Sequence, residues 1–427
     1  MPNDKIKKIK AKEILDSRGF PTVEVELFTP AGFFKASVPS GVSTGKYEAM
    51  EIRDNGKKSN GRGVKKAIKN IEEKIFPRIK NKSVSNLGEI DRILIDLDGT
   101  ENKSKLGVNA ILPVSLAICR AGASASGLPL WEYISKLAEI WSPVIMPSPM
   151  FLAVEGGRHA KNLKNKIDFQ EFLIIIEASS FKEKLQAGKE IYEHLGFLLE
   201  REYGEEAAKT GYEGGFNPEM EIEAEIIAFI LKAAQEKGYA KQIKIGLDAA
   251  ASSFYKNKLY YLEGGYFKRE NLLEFYAEIC AKYPVISVED PFCEEDWLGF
   301  QMIVQNLGGR VTIVGDDLTA TNIKRMEEAK NKNACSGVII KPNQIGTVSE
   351  TIAAAKLAKK YGWKIIVSHR AGETGDDFIA DLAVGVRADF IKSGAPFPKE
   401  RMAKYNRLVE IEKEITQHSG NLLKETQ

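Results

Sequence analysis

Gly337-Val338-Ile339-Ile340-Lys341-Pro342-Asn343-Gln344-Ile345-Gly346 sets three consecutive β-branched residues against a lysine and a turn. An apolar run of this kind is how a strand buried on both faces reads, so Lys341 stands at a strand's exit. The same grammar recurs on either side. Ile243-Lys244-Ile245-Gly246-Leu247 ends at Asp248 and Val285-Ile286-Ser287-Val288 at Glu289. Residues 311–315 end at Asp316, 364–368 at His369-Arg370, and 389–391 at Lys392. From Glu289 onward the charged ends fall 27, 25, 28 and 23 residues apart, each run followed by helical spacing. That is the period of strand-plus-helix units closing into a (β/α) barrel, whose chemistry sits at the C-terminal strand ends. A single charged strand end marks a turn or a solvated ion pair; six in register ask for a shared site.

Asp248, Glu289 and Asp316 are three carboxylates from separate strands with few histidines or cysteines nearby. They describe a hard-cation site and point to Mg²⁺. Lys341, beside a metal and a second lysine, Lys392, is expected to lose proton affinity, which suits it to act as a base.

The 427 residues are 43% hydrophobic and 28% charged, an ordinary globular composition long enough for a barrel and a second domain. With 61 basic and 59 acidic residues nearly cancelling, no electrostatic footprint for nucleic acid is expected. The basic cluster Lys5-Ile6-Lys7-Lys8 reads as a solvated face. Cys119, Cys280, Cys293 and Cys335 lack CxxC spacing, so neither a zinc site nor a disulfide framework is indicated, and a reducing cytoplasm is the expected setting. No apolar run approaches the length of a membrane span, and no membrane partner is expected.

In chain order, Thr22-Val23-Glu24-Val25-Glu26-Leu27 alternates, turns at Thr29-Pro30-Ala31-Gly32 and resumes at 33–38, an antiparallel meander. The hydroxyl-rich Pro39-Ser40-Gly41-Val42-Ser43-Thr44-Gly45 is a flexible loop. Helical spacing follows over 64–79 and 106–125, the second with Pro113 as an expected kink. Residues 1–140 thus read as a small α+β domain, and the proline-punctuated 141–147 as the boundary to a barrel over 141–427. Glu155-Gly156-Gly157-Arg158-His159-Ala160 suggests a lid with His159 near its hinge. A strand over 169–176 starts close to Glu171, a helix spans 181–202, and Tyr212-Glu213-Gly214-Gly215-Phe216 offers a second glutamate. Two glutamates near a metal titrate as a coupled pair, and one can serve as an acid at neutral pH. A last helix, about 399–415, closes the barrel.

These residues are similar to those of the enolase family over essentially the whole chain. The resemblance is carried by Asp16-Ser17-Arg18-Gly19, Ser40-Gly41-Val42-Ser43-Thr44-Gly45, Gln170-Glu171-Phe172, Glu213-Gly214-Gly215-Phe216, Gly246-Leu247-Asp248 and Val288-Glu289-Asp290-Pro291. Gly315-Asp316-Asp317-Leu318, Asn343-Gln344-Ile345-Gly346, Ser368-His369-Arg370 and Ala403-Lys404-Tyr405-Asn406 continue it. A Lys or His base beside one or two Mg²⁺ ions is the pattern known for that superfamily. The resemblance implies an α/β fold, an α+β cap on a (β/α)8 barrel whose first units run ββαα, assembled as a homodimer or higher homo-oligomer. It implies a small phosphorylated carboxylate substrate, 2-phospho-D-glycerate, dehydrated to phosphoenolpyruvate in a step of glycolysis and gluconeogenesis. Asp248, Glu289 and Asp316 would hold one Mg²⁺, and Ser43 would help hold a second that arrives with substrate. Lys341 would remove the α-proton; Lys392 and Gln170 would grip the carboxylate. Glu213, coupled with Glu171, would protonate the departing hydroxyl, with His159 on the closing loop. Arg370 would hold the phosphate and His369 line the pocket.

Several positions depart from the family pattern. Ala371 stands where a serine usually contacts phosphate. Glu155 and Arg158 replace the lid's usual Asn and Ser, and Tyr212 replaces an Asp. Pro342 follows the base, Phe20 replaces an Asn, and Pro113 a glycine. Two other readings stay open at this point. One is a paralogue acting on a related phospho- or phosphono-carboxylate, as in the carboxyphosphonoenolpyruvate synthase branch; the other is a non-catalytic binding or structural role.

Overall fold

The computed structural model describes residues 4–41, 45–54, 61–159 and 166–425. Three strands open the chain, β1 (Lys8–Leu15), β2 (Pro21–Thr29) and β3 (Gly32–Ser37), in an antiparallel sheet of that order. Val23, Val25 and Leu27 of β2 are buried while Glu24 and Glu26 between them are not, as the alternation requires. β1 adds an edge to the expected meander. Its Lys8, Lys10 and Lys12 are exposed, a charged rim that discourages pairing with another chain.

A helical run over Lys65–Lys69, Asn70–Ile75 and Phe76–Ile79 follows, its middle turn widened to π geometry, then the helices Leu87–Asp98, Val108–Ala125 and Leu130–Leu137. Val108–Ala125 continues through Pro113. It is long and apolar enough to cross a membrane, which qualifies the expectation that no run comes near that length. Its most apolar window is 83% buried, and it packs on β2 and β3 as the core of the cap.

Eight strands form a closed ring in the order β10, β11, β12, β13, β14, β4, β5, β6. They are β4 (Ser148–Glu155), β5 (Glu171–Ile176), β6 (Ile243–Asp248), β10 (Val285–Glu289), β11 (Thr312–Gly315), β12 (Gly337–Ile340), β13 (Lys364–Ser368) and β14 (Phe390–Lys392). A small separate sheet, β7 (Tyr255–Lys256), β8 (Leu259–Leu262) and β9 (Gly265–Phe267), lies between β6 and β10 in the chain. β5 runs antiparallel to β4 and β6, whereas the other neighbours are parallel. The helices Phe181–Tyr203 and Glu223–Glu236 separate β5 from β6, giving a ββαα start. Ser180 caps the first of them, accepting from Glu183 N, while Glu183 reaches back to the cap N–H.

Cap and barrel are joined by charged and backbone contacts. Ser40 and Gly372 exchange both backbone hydrogen bonds, at 2.8 and 2.9 Å. Arg120 donates to Asp376 at 2.7 Å and to Asp377 at 2.7 Å, and Lys103 pairs with Glu350 at 2.9 Å.

Candidate active site

Because β5 runs against its neighbours, its first residue lies at the mouth where the other strands end. In register, Glu155, Glu171, Asp248 and Glu289 stand side by side across β4, β5, β6 and β10. Asp316, Lys341 and His369-Arg370 follow directly on β11, β12 and β13, and Lys392 ends β14. All line one cleft except Glu155 and Glu289, which lie buried beside it.

Four buried acids in a row need compensation. Lys392 supplies it for three of them: its Nζ lies 2.9 Å from Glu171 Oε2, 2.9 Å from Asp248 Oδ2 and 2.8 Å from Glu289 Oε2. Burial alone would lower this lysine's pKa; Asp248, Glu171 and Glu289 outweigh it and hold the ammonium well above the usual lysine value. Glu289 remains raised well above an ordinary glutamate, by burial and by Asp248.

Lys341 pairs with Asp316 through Nζ and Oδ2. Burial would again lower its pKa, but Asp316 prevails and raises it. The expected loss of proton affinity is therefore not found, because Asp316 faces the lysine itself. Asp316 is further fixed by Gln344, whose Nε2 donates to Oδ1 at 2.9 Å, and by Asp290, which accepts from Asp316 N at 3.0 Å.

Across the mouth, His159, Glu171 and Glu213 converge, with one ligating atom of each within 4.8 Å of the others. His159 is buried in a short turn, Gly157–His159, its Nδ1 3.5 Å from Glu213 Oε1 and 3.7 Å from Glu171 Oε1. Burial pushes the Glu171 carboxyl well above the usual range, whereas two histidines overcome burial to hold Glu213 below it. The proton shared by the pair thus rests on Glu171. Among the described residues His159 Nδ1 has no hydrogen-bond partner, while Lys392 Nζ lies 2.9 Å from Glu171 Oε2 and His369 Nε2 3.1 Å from Glu213 Oε2.

His369 Nε2 lies 3.1 Å from Glu213 Oε2. Arg370 spans Glu48 of the cap, at 2.7 Å from Nη1 and 3.3 Å from Nη2, and donates to Asn343 Oδ1 at 3.1 Å. Ala371 is buried in the same wall, and Gln170 Nε2 donates to Asp248 at 3.4 Å. Ser43 and the Arg158 side chain lie outside the described residues. Glu155 is the last residue of β4, fully buried, rather than part of a lid. Its carboxylate accepts from Tyr212 N at 2.9 Å, Glu213 N at 2.9 Å and Gly215 N at 2.7 Å, and so shapes the loop that carries Glu213.

The oxygen-only donor set Asp248, Glu289 and Asp316, on the adjacent strands β6, β10 and β11, fits a hard divalent cation. The ammonium groups of Lys341 and Lys392 engage the same carboxylates. Among the described residues, the groups whose ligating atoms lie within 4.8 Å of one another are a different pair of sets, His159-Glu171-Glu213 and Asp290-Asp316-Asp317. Sequence reasoning missed Glu48, Gln344 and Arg401 as members of the site. Gln344 lay within the opening stretch; nothing in the sequence pattern brings Glu48 or Arg401 to the mouth.

Comparison with known proteins covers nearly all of the chain. Residues 6–134 match the family model described as the enolase N-terminal domain, and 143–424 the enolase C-terminal TIM barrel domain. A protein named enolase from Thermococcus gammatolerans is 48% identical over 412 residues, 95% of this chain and 94% of its own. Another, from Mastigamoeba balamuthi, is 45% identical over 425 residues, 96% of each. With both domain models and two near full-length relatives in agreement, the chain belongs to the enolase family.

Proposed function

We propose that this chain is a hydro-lyase that interconverts 2-phospho-D-glycerate and phosphoenolpyruvate, with Lys341 as base and the Glu171–Glu213 pair as acid. One observation carries the reading. In the eight-strand ring, β12 and β5 lie four positions apart, so Lys341 and Glu171 face each other across the mouth. A base and an acid on opposite sides of a bound substrate suit removal of a proton from one carbon and of hydroxide from the next on opposite faces.

Lys341 Nζ first takes the proton α to the carboxylate, the electron pair being held as the enediolate of that carboxylate, and in a second step the pair forms the C–C double bond as the C–O bond to the hydroxyl breaks. The hydroxide leaves as water, taking the proton that Glu171 holds and Glu213 relays to it. Lys392 sits among Glu171, Asp248 and Glu289, and with Gln170 steers the substrate carboxylate. Arg370 presents a planar fork for the phosphate, with Glu48 as its counter-charge until substrate enters. The residues that would hold the cation are Asp248, Glu289 and Asp316; when bound it offsets carboxylate charge and draws on the Asp316 charge that keeps Lys341 protonated.

Mg²⁺ as that cation, a second ion reached by Ser43, and a homodimer rest on the family resemblance. A cytoplasmic setting rests on four free cysteines. A cap over 1–140 and a barrel over 141–427 rest on the proline-rich boundary. The names of the relatives favour 2-phosphoglycerate over a phosphonocarboxylate.

The test separates base from acid. Lys341→Ala should abolish exchange of the substrate's α-proton with solvent, whereas Glu213→Gln should keep exchange while blocking loss of the hydroxyl. Equal loss of exchange in both variants would overturn the division of roles.

A further inference from the structure

Arg401, in the first turn of the C-terminal helix Lys399–Glu425, is fully buried and the largest of the fully buried side chains. The four acceptors it meets are all neutral. Nη1 donates to Arg370 O at 2.6 Å and to His369 Nδ1 at 2.5 Å; Nη2 donates to Ala371 O at 2.6 Å and to Tyr212 O at 3.4 Å. One side chain thereby ties the His369-Arg370-Ala371 wall to the loop that bears Glu213. A buried guanidinium without a carboxylate in its grip is costly, so its placement asks for a reason.

We infer that Arg401 is a positioning residue that fixes His369 as the neutral tautomer protonated on Nε2, so that its N–H faces Glu213. The chemistry of the two side chains forces the assignment. A guanidinium has only donors and keeps its proton, so the ring nitrogen it meets must offer a lone pair. Nδ1 is therefore bare, and the one imidazole proton belongs on Nε2, 3.1 Å from Glu213 Oε2. A proton added at Nδ1 would point at the guanidinium. Consistently, burial lowers the His369 pKa to about 4, leaving the ring neutral at physiological pH. With that donor fixed, Glu213 is the ionised member of its pair and Glu171 the protonated one. The other tautomer would set a lone pair against the carboxylate and move the proton to Glu213. The inference rests on the acid role given to Glu213 above, but its first test does not depend on it.

The chain has four histidines, which makes their ring nitrogens resolvable after selective ¹⁵N labelling, with His369→Gln to assign the signal. In the wild-type protein at neutral pH, His369 should show a protonated Nε2 and an unprotonated Nδ1. A proton on Nδ1, or a doubly protonated ring, overturns the inference whatever the enzyme's activity. Arg401→Met should then mix the tautomers and lower kcat on the order of tenfold, the value of one hydrogen bond to a charged group, with α-proton exchange retained. Loss of exchange and elimination together, or a tautomer unchanged in the folded variant, would reduce Arg401 to a structural residue. Should Arg401→Met fail to fold, the wild-type spectrum alone decides. Failure of the acid assignment shows separately, as a Glu213→Gln enzyme that still eliminates while the His369 spectrum stands.

Discussion

Glu155 places a carboxylate where the Glu213 loop offers three backbone N–H groups, and burial with the neighbouring Glu213 pushes its pKa up to about 8. A folded pKa raised above the ordinary 4.5 means the folded chain keeps a proton that the unfolded chain releases. The stability this residue contributes is therefore full below about pH 4.5 and is lost as pH rises towards 8. Glu155→Gln removes that slope and turns one N–H towards an amide donor, at a cost of about 1–3 kcal/mol. Denaturant midpoints at pH 5 and pH 8 should show the wild type's advantage shrinking with pH; a constant difference would count against it. Ala371 lies in the wall expected to meet phosphate, and Ala371→Ser should lower KM for 2-phosphoglycerate roughly tenfold through one added hydrogen bond. At this scale Asp248, Glu289, Asp316, Lys341 and Lys392 stood out because each closes an apolar run, and His159 and Glu213 because glycines flank them. Arg401 was not, since a buried arginine in a helix's first turn looks like any solvated one until the fold brings His369 to it.

The helix Val348–Lys360 of the barrel begins against the cap: Asp91, from the helix Leu87–Asp98, accepts from Ser349 N at 2.9 Å. Burial raises the Asp91 pKa to about 6 from an ordinary 3.8, despite the serine donors. The folded state again holds the tighter proton, so Asp91 weakens the fold as pH climbs through that window. Asp91→Asn, which keeps an acceptor for Ser349, should gain on the order of 2 kcal/mol over the wild type at pH 8 and nothing at pH 4. Equal midpoints at pH 8 would refute it. Elements were legible where a charge closes an apolar run, as in β6 and β10 to β14. β1 was hidden by its edge lysines, and β7 to β9 by their length of two to four residues. The helix Glu223–Glu236 holds a continuous apolar run, Ile226-Ile227-Ala228-Phe229-Ile230-Leu231, whose periodicity does not tell helix from strand.

Cap and barrel share their charges: Arg120 from the cap holds Asp376 below the usual carboxylate range against the pull of burial. Arg120→Ala leaves that carboxylate buried without its cation, a loss of about 3–5 kcal/mol. The wild-type chain should unfold in one calorimetric step and the variant in two, cap and barrel separately. A single step in both would mean that the remaining contacts suffice. Glu48 extends the same sharing into the mouth, since it belongs to the cap and pairs with Arg370 of the barrel. At the scale of the molecule, the barrel's period was legible and the cap's grip on it was not, because contacts between residues 120 and 376 leave no trace in local pattern. The ring order also dictates a sequence in time. β4 closes the ring on β14, the last of the eight strands to emerge during synthesis, more than two hundred residues later. Until then Glu155, Glu171, Asp248 and Glu289 have been made and Lys392 has not. A nascent chain thus carries acids of its catalytic centre before the lysine that neutralises them exists, and the mouth can be assembled only once β14 has been made.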